Sequence, residues 1–124
     1  MPLYTVVTQA GVLDHQVKAA LATGITSLHA EMSGVPGNWI HIVFQEYPVG
    51  NGFTAGQVAA AVALTVLIRT GRSPDYKRDM LTRLWALVQS ATGAPDDQIV
   101  LGIQEVAPNQ AMEMGQIMPE VAGG

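Results

Sequence analysis

Phe44-Gln45-Glu46-Tyr47-Pro48 and Ile103-Gln104-Glu105-Val106-Ala107-Pro108 are two versions of one phrase, an apolar residue, then Gln-Glu, then a proline shortly after. What surrounds the first copy also surrounds the second. Trp39 to Glu46 is apolar on both faces, as a buried strand is, and Pro48 stops it. Ile99 to Val106 reads as a strand in the same way. Each is preceded by an amphipathic helix. In the first helix Asp14 is the N-cap, Val17, Leu21, Ile25, Leu28 and Met32 recur at spacings of three and four, and Ser33-Gly34 with Pro36 closes it. In the second, Ser73-Pro74-Asp75 supplies an N-cap, a first-position proline and a first-turn acid. Met80, Leu84, Leu87 and Ala91 then run down one face before Gly93 and Pro95. Ahead of each helix lies another strand, Leu3 to Thr8 and Val62 to Arg69. The pattern is a duplicated β-α-β unit of class α+β, with halves of about 1–58 and 59–124 in one domain spanning 1–124. Right-handed crossovers put four strands in one sheet and both helices on one face. The other face, apolar in its turn, is expected to be buried in an oligomer. Residues 50–56 read as a Gly-rich linker, and the tail from Ala107 offers no long element.

Composition narrows the classes of function. The 124 residues contain no cysteine, which removes disulfides, thiolate catalysis and zinc-thiolate sites together. Six Lys and Arg against ten Asp and Glu give a net charge of −4, which argues against nucleic acid or an anionic membrane as partner. The longest apolar run, Val58 to Ile68, is too short to span a bilayer, and no secretory pattern opens the chain, so a cytoplasmic protein is expected. Hydrophobic residues at 48% against 13% charged point again to burial between subunits.

Few residues carry chemistry. Pro2 follows the initiator methionine, and a small residue there usually allows that methionine to be trimmed. Trimming would leave a secondary amine on a stiff ring. Free α-amino groups titrate at about 7.7–8.0, so burial or a nearby cation would make this one a base near neutral pH. Arg69 and Arg72 flank the turn Thr70-Gly71, ahead of a helix whose N-terminus adds positive field. They read either as a bidentate clamp for a carboxylate or as solvated surface arginines. Lys77, Arg78 and Arg83 stand among Asp75 and Asp79 at helical spacing and read as surface pairs. His29 borders the apolar stripe of the first helix, either as a ligand-facing group or as a satisfied border residue. No metal is expected, because His15 and His41 do not join it at a metal-ligand spacing. Glu113, between two methionines, is either a carboxyl with a raised pKa or a solvated tail residue.

Together, Pro2 opening a strand, His29 on the first helix, the Arg69-Thr70-Gly71-Arg72-Ser73 turn, Glu113 and the doubled unit resemble the tautomerase superfamily. Within it the chain is most similar to cis-3-chloroacrylic acid dehalogenase and its homologues, through Phe44-Gln45-Glu46, Pro48, Gly50-Asn51, Gly71-Arg72-Ser73 and Met112 to Pro119. The resemblance covers nearly the whole chain. It implies a cofactor-independent homotrimer acting on a small carboxylate. Pro2 would be the catalytic amine, His29, Arg69 and Arg72 would hold the carboxylate, and Glu113 would help to activate water. The dehalogenase pattern also has a tyrosine in the fourth strand, and Gly102 stands at the matching position. Loss of that phenol favours isomerisation of 2-keto or enol acids, with hydration or dehalogenation of cis-3-haloacrylates as the alternative and a non-catalytic ligand-binding module as the third reading.

Overall fold

A computed structural model describes residues 1–121. Strand β1 (Leu3–Gln9) leads to helix α1 (His15–Ser33) and strand β2 (His41–Tyr47), then to a hairpin of β3 (Phe53–Thr54) and β4 (Gln57–Val58). Strand β5 (Val62–Arg69), helix α2 (Pro74–Thr92) and strand β6 (Ile99–Val106) repeat the series, and a hairpin of β7 (Met112–Glu113) and β8 (Gln116–Ile117) ends it. The sheet order is β2-β1-β5-β6, with β1 parallel to β2, β5 parallel to β6, and the two central strands antiparallel. Parallel pairing inside each half follows from the helix crossover, so the two halves meet through β1 and β5.

The duplication has a fixed offset of 59 residues. Asp14 and Ser73 cap the two helices by accepting hydrogen bonds from Val17 and Tyr76, and Gly34 and Gly93 end them in the left-handed conformation. The echoed glutamates have the same task in each half. Glu46 on β2 pairs with Lys18 of α1 at 3.0 Å, and Glu105 on β6 pairs with Lys77 of α2 at 3.1 Å. Lys77 thus reaches the sheet, whereas Arg78 and Arg83 do pair with Asp75 and Asp79 along the helix.

The linker and the tail are more regular than their composition implies. Each folds a two-residue hairpin loop, Ala55-Gly56 and Met114-Gly115, with positive φ at both central residues. That is the conformation a tight hairpin needs, reached here with Ala and Met where Asn is usual.

Inward residues of the strands, among them Tyr4, Val6, Leu64 and Val66, meet Leu21, Ile25, Met80, Leu84 and Val88 from the helices in one core. Both helices therefore cover the same face. On the opposite face Leu3, Val43 and Val100 are 40%, 46% and 68% exposed, so that side of the sheet is bare in a single chain. Among the described residues no helix is long and apolar enough to cross a membrane.

Leu64 is fully buried on a central strand. Leu64→Ala is expected to lower stability by about 2–5 kcal/mol, read as a lower urea midpoint at unchanged slope and fixed protein concentration. A midpoint equal to wild type would contradict this placement of the core.

Candidate active site

The antiparallel register sets Leu3 opposite Leu67, so the residues just before β1 lie beside the last residues of β5. Pro2 is buried there and its carbonyl accepts a hydrogen bond from the His41 amide at 3.1 Å. The chain terminus is thus fixed between its two neighbouring strands before any side chain acts.

Arg69 ends β5 and is only 9% exposed. Its Nη1 donates to the Pro119 carbonyl at 2.7 Å. Burial, and then the charge of Arg72, push its pKa down, so both effects oppose a bare guanidinium and would be relieved by an anion. Gly71 makes the turn between the two arginines at φ +134, and a side chain there would press on Val121 from the tail. The Arg72 guanidinium lies over the Tyr76 ring, 4.7 Å from its centre. Neither arginine is a free surface group.

His29 is buried on the inner face of α1. The Tyr4 hydroxyl stands 2.7 Å from its Nδ1, and the two rings meet edge to face at 5.6 Å. Burial raises the Tyr4 phenol, so it keeps its proton and has that proton to donate. Nδ1 is then the acceptor, which assigns the remaining ring proton to Nε2. Burial first, then Arg72 and the amino terminus, lower the His29 pKa to about 4. The imidazole is consequently a neutral donor at physiological pH.

Met1 precedes Pro2, and its amine meets the Glu113 carboxylate. Burial and then Arg69 lower that amine to about 6. Met1, His29, Arg69, Arg72 and Tyr76 line one cavity whose free volume, about 20 Å³, is room for one water. On its other side Met1 borders a recess of about 350 Å³ walled by Trp39, Leu3, Leu67, Met112 and Met114, with Glu113 at its edge. A cationic compartment and an apolar one therefore flank the amino terminus.

The five candidate residues from the sequence converge on this end of the sheet: His29, Arg69 and Arg72 line the cationic cavity, Pro2 adjoins it, and Glu113 reaches the terminal amine. Gly102 stands apart, opposite Thr65 on the bare face, and a side chain built there would meet nothing. Two tyrosines of the site are missed by sequence reasoning. Tyr4 carries a usable signal, since an inward-facing phenol on a strand needs a polar partner. Tyr76 carries none, because a tyrosine in a first helical turn is ordinary. Among the described residues no three His, Asp or Glu side chains gather closely enough to hold a metal.

The chain as a whole is similar to known proteins. The family model described as putative oxalocrotonate tautomerase enzyme matches residues 1–123. The crystal structure of native Ps01740 is 32% identical, covers 90% of this chain and 99% of its own, and superposes with a TM-score of 0.86. N1, a member of the cis-3-chloroacrylic acid dehalogenase family, is 27% identical over 96% of this chain and 85% of its own, with a TM-score of 0.88. A fused 4-OT described as a symmetric trimer is 20% identical over 98% and 99%, with a TM-score of 0.85, and shares the fold. Among curated proteins the chain has no match.

The His29 pKa gives a prediction with a sign. Its folded value of about 4 lies below the ordinary 6.5, so as pH falls the unfolded chain takes up the proton first. The stability linked to His29 is complete above about pH 6.5 and is lost as pH falls toward 4, on the order of 3 kcal/mol. Urea unfolding at pH 4.5 and 7.5 should show this slope in wild type and a flatter one in His29→Gln. Equal slopes in the two proteins would contradict the burial of a neutral imidazole.

Proposed function

The chain belongs to the family of putative oxalocrotonate tautomerase enzymes, within the tautomerase superfamily, and on that premise we propose that it is an isomerase of small 2-keto or enol carboxylic acids. Pro2, freed by removal of Met1, is its base. The observation that carries this reading is geometric: Pro2 is buried at the head of β1, beside the end of β5 that carries Arg69 and next to the cavity lined by His29 and Arg72. Burial and a nearby guanidinium both favour the neutral form of an amine, which is the form able to accept a proton.

Arg69 and Arg72 take the substrate carboxylate, replacing the repulsion between two close guanidinium groups with charge-assisted hydrogen bonds. The neutral His29 adds its Nε2 proton as a donor to an oxygen of the same end of the substrate. Pro2 removes the enol O–H proton, becomes a secondary ammonium, and returns that proton to C3 as the C2 carbonyl forms. The protons balance and nothing is oxidised, so no cofactor is called for. The apolar recess beside Trp39 receives the rest of the substrate.

The bare sheet face, with Leu3, Val43 and Val100 exposed, supports assembly as a homotrimer like the fused 4-OT, and the protein is proposed to work in the cytoplasm. A second reading, hydration or dehalogenation of a cis-3-haloacrylate, is favoured by the closeness of Glu113 to the terminal amine. Glycine at position 102 weighs against it, since no phenol there assists the water. A chain that kept Met1 would leave room for only one water and would be a binding module at most.

Pro2→Ala keeps a primary amine but loses the stiff secondary one. It is expected to lower kcat/KM for ketonisation of phenylenolpyruvate by about a hundredfold, and an unchanged rate would refute the base assignment. For wild type, kcat/KM should fall as pH drops through the amine pKa, because protonation removes the base. Arg69→Ala and Arg72→Ala should each raise KM by about ten- to a hundredfold with a smaller change in kcat. If neither moves KM, the clamp is misassigned.

A further inference from the structure

Tyr76 sits in the first turn of α2, where its amide donates to the Ser73 N-cap at 3.1 Å, and its ring is held against the Arg72 guanidinium. Helix cap and cation together leave the ring little freedom. Tyr76 lines the cavity shared with His29 and Arg69, and its hydroxyl is fully buried with no hydrogen-bond partner among the described residues. Buried phenols rarely go unpaired, because an unmet polar group costs about 1–3 kcal/mol. The other two tyrosines are committed elsewhere, Tyr4 to His29 and Tyr47 to the Ala61 carbonyl at 2.6 Å.

We propose that Tyr76 is a catalytic residue whose hydroxyl donates a hydrogen bond to the C2 oxygen of the bound 2-keto or enol acid. This rests on the isomerase reading above and deepens it. The cavity has room for one water, and a substrate oxygen arriving beside the two arginines takes that place. Burial raises the phenol pKa while Arg72 acts the other way, so the group stays a proton-bearing donor at neutral pH. A donor fixed before the reaction stabilises charge as it develops on that oxygen while Pro2 holds the proton. The phenol absent at Gly102 is thereby supplied from the helix, for the enolate oxygen and not for water. The site selects substrates with an oxygen on the carbon next to the carboxylate, and simple acrylates lack one.

Tyr76→Phe removes only the hydroxyl. Since that group has no hydrogen-bond partner among the described residues, the variant should melt at or above the wild-type temperature, which separates catalysis from folding. For phenylenolpyruvate its kcat should fall by about ten- to a hundredfold, with KM changing less. Wild-type kinetics in Tyr76→Phe, alongside an impaired Pro2→Ala, would overturn the assignment of Tyr76 and leave the base reading intact. An active wild type with an unimpaired Pro2→Ala would overturn the base reading instead. Calorimetry with phenylglyoxylate, a 2-keto acid with no proton on C3 and so unable to enolise, tests the donor without turnover. Tyr76→Phe should bind it at least fivefold more weakly than wild type, about 1 kcal/mol by the usual conversion, while phenylacetate, which lacks the C2 oxygen, binds both proteins alike. Equal phenylglyoxylate affinity in the two proteins would sink the proposal even if the wild type proved inactive.

Discussion

A chain terminus and an arginine brought to the same buried end of the sheet is the constraint on which this end of the molecule depends. β1 is a central strand, so its first residues cannot drift into solvent. Its antiparallel pairing with β5 sets them against Arg69. Desolvation and positive charge then lower the terminal amine, Arg69 and His29 alike. Such a cluster is uncomfortable empty and is relieved by a bound anion. The folding topology, through the register of two strands, thus generates the electrostatics that the proposed chemistry uses.

The duplication shows how local this specialisation is. At the same offset of 59 residues, Arg72, Tyr76 and Val88 correspond to Leu13, Val17 and His29. Leu13 and Val88 are buried core members, and Val17 packs against the same core. At the first-half end, where β1 runs out, apolar Leu13 and Val17 therefore occupy the backbone positions that hold Arg72 and Tyr76 at the other. The helix positions 29 and 88 are split likewise between an imidazole and an isopropyl group. One repeat end is packed shut and the other keeps polar groups around a cavity. The hairpins differ in the same way, since Thr54 corresponds to Glu113. The fold was doubled, whereas the candidate residues stand at one end only.

Much of this was legible in the chain. The caps at Asp14 and Ser73, the stops at Gly34 and Gly93, and the paired Gln-Glu phrases place all four long strands and both helices, because each signal is local. The short hairpins were hidden, since Ala55 and Met114 occupy positions where Asn or Gly would have announced a turn. Lys77 was assigned to helix neighbours because spacing along α2 cannot reveal Glu105, 28 residues away. The candidate residues that the fold brings to one end of the sheet could be named from the chain, but not their setting. That Arg69 is buried, that His29 is neutral and tied to Tyr4, and that the Tyr76 hydroxyl is buried with no hydrogen-bond partner among the described residues are all consequences of long-range packing.

The central claim concerns one nitrogen, and its state can be observed directly. A ¹⁵N NMR titration of the Pro2 nitrogen in the active protein reads both its bonding and its protonation. The account predicts a free secondary amine that titrates below the ordinary α-amino range of about 7.7–8.0, with the same midpoint as the acidic limb of kcat/KM. An amide-like nitrogen that does not titrate in a protein that nonetheless turns over substrate, or a midpoint above 9 unrelated to the rate profile, would contradict it.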